Sequence, residues 1–445
     1  MTDSDNSKTS WGAGGLFANR ELGSFALIVF TQLFCIPFIL ICKDFDGSFT
    51  KFGAAAGDKG FVQFLYEIWP TAFDPYSWKM ILNFMAFELF LMRVVPGKEF
   101  KATPTTSGHV PIYTANGVQC YVITIATLFF LARYEIWNPA DVYDNLHTIV
   151  SALNVFALGF CTMLTIKGLN FPSTKESGSN GSLLIDFFWG TELYPRILGF
   201  DVKEFTNCRC GMMYWQVGII CYAFKQYQLL GGHISSSMLV SVLVQSVYIF
   251  KFFYWETGYF CSMDIQHDRA GYYICWGCLV YVPSMYTIHT YFMANQPVYL
   301  SLPNTLFSIV LGIFFIWANY DCDRQRQDFR ATGGKQKVWG RAPEFITAHY
   351  TTEDGEERTS LLLCSGWWSL ARHFHYIPEV AAAFMWCVPG LFTISHLLPY
   401  FYPVYLCILL ADRAWRDDKR CSDKYGDYWK MYCKRVPAKI VPGIM

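Results

Sequence analysis

Long apolar runs separated by short polar segments dominate this chain. A helix rises about 1.5 Å per residue, so about twenty apolar residues cross the roughly 30 Å hydrocarbon core of a bilayer. The run 380–411 is long enough for two short or tilted crossings, broken around Pro389 and Gly390 and over 396–403. Further runs lie at 24–42, 79–96, 119–133, 147–168, 211–230, 236–255, 271–293 and 299–320. The pattern predicts an all-α polytopic membrane protein with about ten transmembrane helices.

The composition agrees with this class. Of 445 residues, 53% are hydrophobic and only 16% are charged, which is too apolar for an ordinary soluble protein of this size. The formal net charge is zero, so no basic field argues for nucleic-acid binding. The sixteen cysteines stand mostly as single residues in apolar runs, which is typical of reduced, buried thiols. Two close pairs, Cys208/Cys210 and Cys275/Cys278, have no companion at zinc-site spacing, so we predict no metal site.

Lysines and arginines are concentrated in two segments, 324–341 and 413–439. By the positive-inside rule both segments face the cytosol, and two crossings between them keep them on one side. Residues 1–23 are predicted to form a short polar tail. The first apolar run lacks a small-residue cleavage site, so it is predicted to be a retained helix. The remainder, 24–445, is predicted to be one transmembrane domain.

Two polar islands stand within the otherwise membrane-like C-terminal part. The first is the stretch LLLCSGWWSLARHFHY at 361–376. The second contains Asp412, Arg413, Arg416, Asp417, Asp418, Lys424, Tyr425, Gly426, Trp429 and Tyr432. Because polar groups are expensive in apolar surroundings, they are expected to have partners. Together the islands predict one polar site at a membrane face.

Several long blocks, in order, make the chain resemble a known family. They are GTELYPR at 190–196, NCRCGMM at 207–213, MDIQHDRAGYYICWG at 263–277, and the two islands. From about Gly190 onward the chain resembles the sterol reductases of the endoplasmic reticulum, a family that includes Δ14-sterol reductases, Δ7-sterol reductases and the lamin B receptor. The blocks HDRAGYY at 267–273, NYDCDRQRQ at 319–327 and WWSLARHFHY at 367–376 are most similar to the Δ7-sterol reductases, notably the plant type.

The resemblance implies NADPH-dependent reduction of the C7–C8 double bond of a Δ5,7-sterol in sterol biosynthesis. A ring alkene has no carbonyl to polarise, so the chemistry needs a proton donor at one carbon and a hydride at the other. The resemblance also implies a multi-pass protein of the endoplasmic reticulum membrane, with a cytosol-facing cofactor pocket at about 320–445. The sterol is expected to enter from the bilayer, and a sterol isomerase is a candidate partner; the sequence carries no signal for an oligomeric state.

The cofactor contacts are carried over from the family position by position. Arg326 and Arg330 lie four apart, so both can reach a phosphate from one helical face, although the family usually has lysine at the first position. Many members have asparagine at the position of His375. The full implied set is Arg326, Arg330, Leu363, Trp368, His375, Tyr376, Arg413, Asp417, Cys421 and Tyr432.

Four of these residues also have a plainer interpretation. Arg326 and Arg330 could be topogenic charges of a cytosolic loop, and Trp368, with its neighbour Trp367, could be an interfacial anchor. Asp417 could form a salt bridge with Arg413 or Arg416.

Tyr248 and Asp417 are the residues assigned to catalysis. Tyrosine suits a membrane-embedded acid because its neutral form costs little to bury, and a nearby carboxylic acid or histidine could relay protons to it. Tyr248 matches the family position, with Tyr272 or Tyr273 as the next candidates. Most of the twenty-eight tyrosines are expected only to pack. A further polar cluster, Glu256, Asp264, His267 and Asp268, could gate or relay protons, or could be a solvated loop.

Three alternatives stay open at this point. A Δ14-sterol reductase needs the same acid, hydride source and apolar slot. The C-terminal pattern around Arg413, Asp417 and Tyr425 also resembles that of membrane isoprenylcysteine methyltransferases, which bind S-adenosylmethionine but would not explain the blocks at 190–213 and 263–277. The third alternative is a non-catalytic sterol-binding membrane protein.

Overall fold

The structure is a computed structural model that describes residues 19–102, 104–105, 108–351, 357–387 and 398–443. It divides into two compact units, one made of residues 1–235 and 249–297 and the other of 236–248 and 298–445. Most of the predicted tail 1–23 lies outside the described residues. The predicted break around Pro389 and Gly390 lies outside them as well.

The first unit is helical with small antiparallel hairpins. Its hairpins pair β1 (Lys98–Lys101) with β2 (Ile112–Ala115) and β3 (Arg196–Ile197) with β4 (Phe200–Asp201). Two segments, Glu204–Met212 and Gly277–Tyr281, form wider π-helical turns. Its α-helices are α1 (Arg20–Asp44), α2 (Phe49–Lys59), α3 (Phe61–Ile68), α4 (Pro75–Val94), α5 (Gly117–Arg133), α6 (Ala140–Asp144), α7 (Leu146–Asn170), α8 (Leu183–Trp189), α9 (Met213–Leu229), α11 (Glu256–Tyr259), α12 (Met263–Gln266), α13 (Tyr272–Trp276), α14 (Val282–Met285) and α15 (Ile288–Asn295). Helix α10 (Ser236–Tyr254) belongs to this unit only from residue 249 onward.

The second unit begins with the residues of α10 up to Tyr248. It continues with α16 (Leu302–Ala331), the hairpin of β5 (Phe345–Thr351) and β6 (Glu357–Leu363), and α17 (Trp367–Leu370). After these come α18 (Tyr376–Cys387), a 3-10 turn at Leu398–Tyr400, α19 (Phe401–Tyr425) and α20 (Asp427–Arg435). Ser301 caps the start of α16 with Pro303 in its first turn, and Gly333 and Gly334 follow its end with positive φ.

The prediction of an all-α polytopic membrane protein is confirmed. Among the described residues, α1, α7, α10 and α16 are long and apolar enough to cross a membrane. The predicted run 271–293 is not one continuous helix: it is divided among α13, the π-helical turn, α14 and α15. Pro283 lies within this run, and a proline in a helix interior removes a backbone hydrogen bond. The total of about ten crossings stays a prediction.

A fully buried arginine organises the polar interior of the first unit. Arg209, from the block NCRCGMM, forms an ion pair with Glu256 through Nη1, and its Nη2 donates to Asn116 Oδ1 at 2.7 Å. A second carboxylate, Glu204, lies 3.3 Å from the same Nη2. Removing one partner of such a buried pair typically costs about 3–5 kcal/mol. Glu256 is thus held in the interior, which excludes the solvated-loop interpretation for this residue.

The second unit has a close helix contact at Gly312 of α16. A Cβ atom built on Gly312 would lie 2.7 Å from Val244 Cγ1 on α10 and 3.3 Å from Met385 Cβ on α18. The absence of a side chain therefore allows α16 to approach both helices. Close helix approach at small residues is a common way to pack membrane-spanning helices.

We expect Gly312→Leu to lower the thermal midpoint of the detergent-solubilised protein, because overpacking typically costs about 1–3 kcal/mol. Gly159→Leu is the matched control, since Gly159 lies in the membrane-spanning helix α7 and a Cβ there meets no atom within 4 Å. Equal midpoints for the two variants would contradict the packing argument.

Candidate functional site

The C-terminal end of α16 provides one side of the candidate site. The helix continues to Ala331, so Cys322, Arg326 and Arg330 share one face at spacings of four. The Arg326 guanidinium lies over the Trp368 ring, 4.1 Å from its centroid, and also donates to Asp323 at 3.2 Å. Arg330 is exposed, with Nε 3.4 Å from the carbonyl oxygen of Leu361. Both guanidinium groups can therefore meet an anion at the end of this helix.

The tryptophan pair is fixed to α16 by hydrogen bonds. Trp367 Nε1 donates to Asp321 Oδ2 and Trp368 Nε1 to the carbonyl oxygen of Cys322, both at 2.9 Å. The preceding Gly366 has φ of +64°, and a Cβ there would collide with the Gln325 side chain. That same Gln325 accepts the Trp367 amide N–H at 3.0 Å. The pair is thus anchored on protein.

Leu363 and Trp368 belong to one small hydrophobic cluster. Both are buried, and they pack together with Phe329 and Val338. Trp368 is only 4% exposed, so it packs inside the protein and does not face lipid as an interfacial anchor would. The predicted residues Arg326, Leu363 and Trp368 are therefore brought together.

The loop after the tryptophans brings the rings of His373, His375 and Tyr376 together. The Trp368 and His375 ring centroids lie 5.2 Å apart, and those of His375 and Tyr376 lie 4.3 Å apart. His373 stacks on Tyr376 at 5.2 Å with an interplanar angle of 12°. Asn319 on α16 donates to the His375 carbonyl oxygen at 3.1 Å. The His375 Nδ1 atom is buried without a hydrogen-bond partner among the described residues, and such atoms are rare in folded proteins.

Helices α19 and α20 supply the remaining predicted residues. Asp417 Oδ2 lies 3.8 Å from both His373 Nε2 and Cys421 Sγ, and Asp417 Oδ1 accepts from Arg420 at 2.5 Å. Arg416 instead pairs with Asp412 at 2.7 Å. Asp417 thus pairs with Arg420, which lies three residues further along the same helix, and the alternative of a pair with Arg413 stays a prediction.

Electrostatic interactions connect these helices with the rest of the site. The positive charge of Arg413 interacts with His375 and Tyr376. The charge of Arg326 interacts with both of these residues and with Tyr432. Arg330 interacts with Tyr432 and Cys421. The structure therefore groups all ten residues of the predicted cofactor set in one unit and around one region, which leaves their roles as predictions.

Residues 436–439, which come later in the chain, hold the loop 371–376 in place. The Arg372 side chain donates to the carbonyl oxygens of Val436 at 2.8 Å and Pro437 at 2.9 Å. The backbone amides of Arg372 and His373 donate to the carbonyl oxygens of Ala438 and Lys439. Asp418 lies 3.4 Å from Arg372 Nε and 3.2 Å from Lys439 Nζ. The loop is thus held by direct backbone pairing.

Tyr248 is placed separately, on α10. Its hydroxyl donates to Glu379 Oε1 at 2.6 Å, and its ring packs against Trp386 with centroids 5.3 Å apart. Both partners lie on α18, the helix that begins at Tyr376. Glu379 and the anchoring residue Gln325 were not expected from the sequence. A carboxylate in a mainly apolar stretch was the available signal for Glu379, since such groups are usually paired or functional.

Burial determines the protonation of the site. It lowers the pKa of His373 to about 4 and that of His375 well below the usual value, and the positive charge of Arg326 adds to both shifts. Burial also raises the pKa of Tyr376 and of the Cys421 thiol to about 12 in each case. Near pH 7 the rings and the thiol are therefore neutral, and the arginines supply the positive charge. This combination suits a ligand that carries both phosphates and aromatic rings.

The histidine pKa predicts acid sensitivity of the fold. The unfolded chain binds a proton at His373 near pH 6.5 and the folded chain only near pH 4, so stability falls as the pH drops between these values. Between pH 6.5 and pH 5 one such histidine lowers the free energy of unfolding by about 2 kcal/mol. We expect His373→Gln to lose less thermal stability over this range than the wild type, measured by thermal unfolding in detergent. His349→Gln, at an exposed strand position, is the control; an acid dependence unchanged in His373→Gln would refute the assignment.

Comparison with known proteins gives matches along nearly the whole chain. The profile of the ergosterol biosynthesis ERG4/ERG24 family matches residues 22–445. The chain is 50% identical over 426 residues to 7-dehydrocholesterol reductase of Arabidopsis thaliana, which covers 95% of this chain and 98% of that protein. It is 32% identical to 7-dehydrocholesterol reductase of Xenopus laevis, over 94% of this chain and 91% of that protein. It is 31% identical to the Delta(14)-sterol reductase of Dictyostelium discoideum, over 87% and 83% respectively.

Proposed function

The chain belongs to the ERG4/ERG24 family of sterol reductases, and on this basis we propose that it reduces the C7–C8 double bond of Δ5,7-sterols with NADPH. The observation that carries the proposal is the 50% identity to a 7-dehydrocholesterol reductase along nearly the full length of both proteins. The similarity to a Delta(14)-sterol reductase is 31%, which keeps Δ14 reduction as the second candidate.

The candidate site supports a phosphorylated nicotinamide cofactor. Arg326 and Arg330 offer two guanidinium groups at the end of one helix, and such forks bind phosphate oxygens in a bidentate manner. Trp368 and Tyr376 offer ring faces and edges. The buried Nδ1 of His375 offers a polar atom that has no hydrogen-bond partner within the described ranges. The Asp417 carboxylate is suited to accept hydrogen bonds from ribose hydroxyl groups or from an amide. When bound, NADPH supplies the hydride.

Tyr248 is proposed as the proton donor. Asp417, the second residue assigned to catalysis, is proposed to orient the cofactor. A phenol can be buried in neutral form and carries one transferable proton. The Tyr248 ring is restrained by Trp386, which is fully buried, so the hydroxyl has a defined direction. Fixed orientation of a proton donor lowers the entropic part of the barrier.

We further propose an endoplasmic reticulum location with the cofactor site on the cytosolic side. The sterol is proposed to enter between helices from the bilayer, because its ring system is as apolar as lipid. A sterol isomerase remains a proposed partner. The basic residues beyond α16 support the cytosolic orientation through the positive-inside rule.

The decisive assay supplies purified protein with NADPH and either a Δ5,7-sterol or a Δ8,14-sterol, and identifies products by mass spectrometry. Saturation of the Δ5,7-sterol at C7–C8 is the expected result. Reduction of the Δ8,14-sterol alone would assign the protein to Δ14 chemistry. If neither sterol is reduced, a non-catalytic sterol-binding protein becomes the better interpretation, and S-adenosylmethionine binding is then measured to test the methyltransferase alternative.

Arg326→Ala and Arg330→Ala should each raise the Kd for NADPH by about tenfold or more, since a charged hydrogen bond contributes about 1.5–3 kcal/mol. Binding is measured by quenching of protein fluorescence in detergent. Arg324→Ala is the matched control, because Arg324 lies on the same helix with its side chain 53% exposed and paired with Asp321. If the control weakens binding as much as the other two variants, the phosphate assignment is wrong.

A further inference from the structure

The face of α10 that carries Tyr248 is polar along much of its length. Ser237, Ser241 and Gln245 precede Tyr248 at spacings of four, four and three, and these three residues are fully buried. Gln245 donates to the hydroxyl of Ser241 at 3.0 Å. Since α10 is also a candidate membrane-spanning helix, a buried polar row is expensive and indicates a function. The row ends at the phenol of Tyr248.

Glu379 connects this phenol with the cofactor loop. Tyr248 Oη lies 2.6 Å from Glu379 Oε1, and Glu379 lies three residues beyond Tyr376 on α18. The backbone amide of Glu379 donates to the His375 carbonyl oxygen at 3.3 Å, the same oxygen that accepts from Asn319. The carboxyl group is therefore held one helical turn from the loop.

The number of protons limits what this pair can do. A phenol has a single proton, and an ionised carboxylate can only accept hydrogen bonds. While Glu379 is ionised, the Tyr248 proton is directed at it and cannot be given to a substrate. When Glu379 is protonated, its own O–H can donate to the phenol oxygen, which leaves the Tyr248 proton free to point elsewhere. Protonation of the Glu379 carboxyl group therefore decides whether Tyr248 can donate its proton to a substrate.

We propose that Glu379 is the positioning residue that orients Tyr248 and returns its proton, a role that rests on the proposed function. The alkene π pair takes the Tyr248 proton and forms a new C–H bond, leaving a phenolate and a carbocation on the sterol. NADPH is the reductant that quenches the cation. The protonated Glu379 then transfers its proton to the phenolate and recovers one from water, so one external proton is consumed per turnover.

The test compares Glu379→Gln with Glu379→Ala and Tyr248→Phe. Glutamine can donate a hydrogen bond to the phenol oxygen, but its amide has no proton of comparable acidity to transfer. We therefore expect Glu379→Gln to keep a single-turnover rate near that of the wild type while its steady-state kcat falls by about 100-fold, the scale of general acid catalysis. Glu379→Ala and Tyr248→Phe should lose both rates. Direct NADPH binding should stay unchanged in all three variants.

The controls are Glu357→Gln, at an exposed strand position, and Tyr299→Phe, at a tyrosine that is 62% exposed. If kcat of Glu379→Gln equals that of Glu357→Gln, the proton-return role is refuted. A parallel loss of single-turnover rate and NADPH binding in Glu379→Gln would refute it too, because that pattern indicates a structural role. Failure of the wild type to reduce either sterol would instead refute the proposed function, which separates the two ideas.

Discussion

The high cost of leaving a buried polar group without a partner constrains the whole molecule. In a chain that is 53% hydrophobic, most buried charges and N–H groups need partners from the protein. Arg209 meets this requirement with two carboxylates and an amide in the first unit. In the second unit, Arg372 meets it with backbone carbonyl groups, and the two indole N–H groups of the tryptophan pair meet it on α16.

The same requirement separates residues that build the candidate site from residues that can serve a ligand. Trp367, Gln325 and Asn319 direct their polar groups at neighbouring protein atoms and set the position of the loop. By contrast, the Nδ1 atom of His375 is buried without a hydrogen-bond partner in the part of the chain that the structure describes, and the Arg330 guanidinium reaches the surface. The first group provides rigidity, and the second provides polar groups that a ligand can reach.

Periodicity and spacing predicted the fold class and the common face of Arg326 and Arg330, because both follow from regular helix geometry. Resemblance supplied the remaining site positions, whose roles are still predictions. The sequence did not predict that Asp417 pairs with Arg420, since several arginines lie within helical reach and side-chain packing decides among them. Glu379 was missed because its partner Tyr248 lies 131 residues away, beyond any local pattern. The division of 271–293 into short helices was also missed, although Pro283 within the run was an available signal.

The pairing of the loop 371–376 with residues 436–439 has a consequence for biosynthesis. Arg372 finds its carbonyl partners 64 residues later in the chain, so during translation the loop leaves the ribosome without them. Helix α16 can already be inserted in the bilayer at that stage, because its backbone bonds are local. The aromatic loop can take its final conformation only after α19 and α20 have been made and the following segment has folded back. Assembly of this region is therefore a late, post-insertion event.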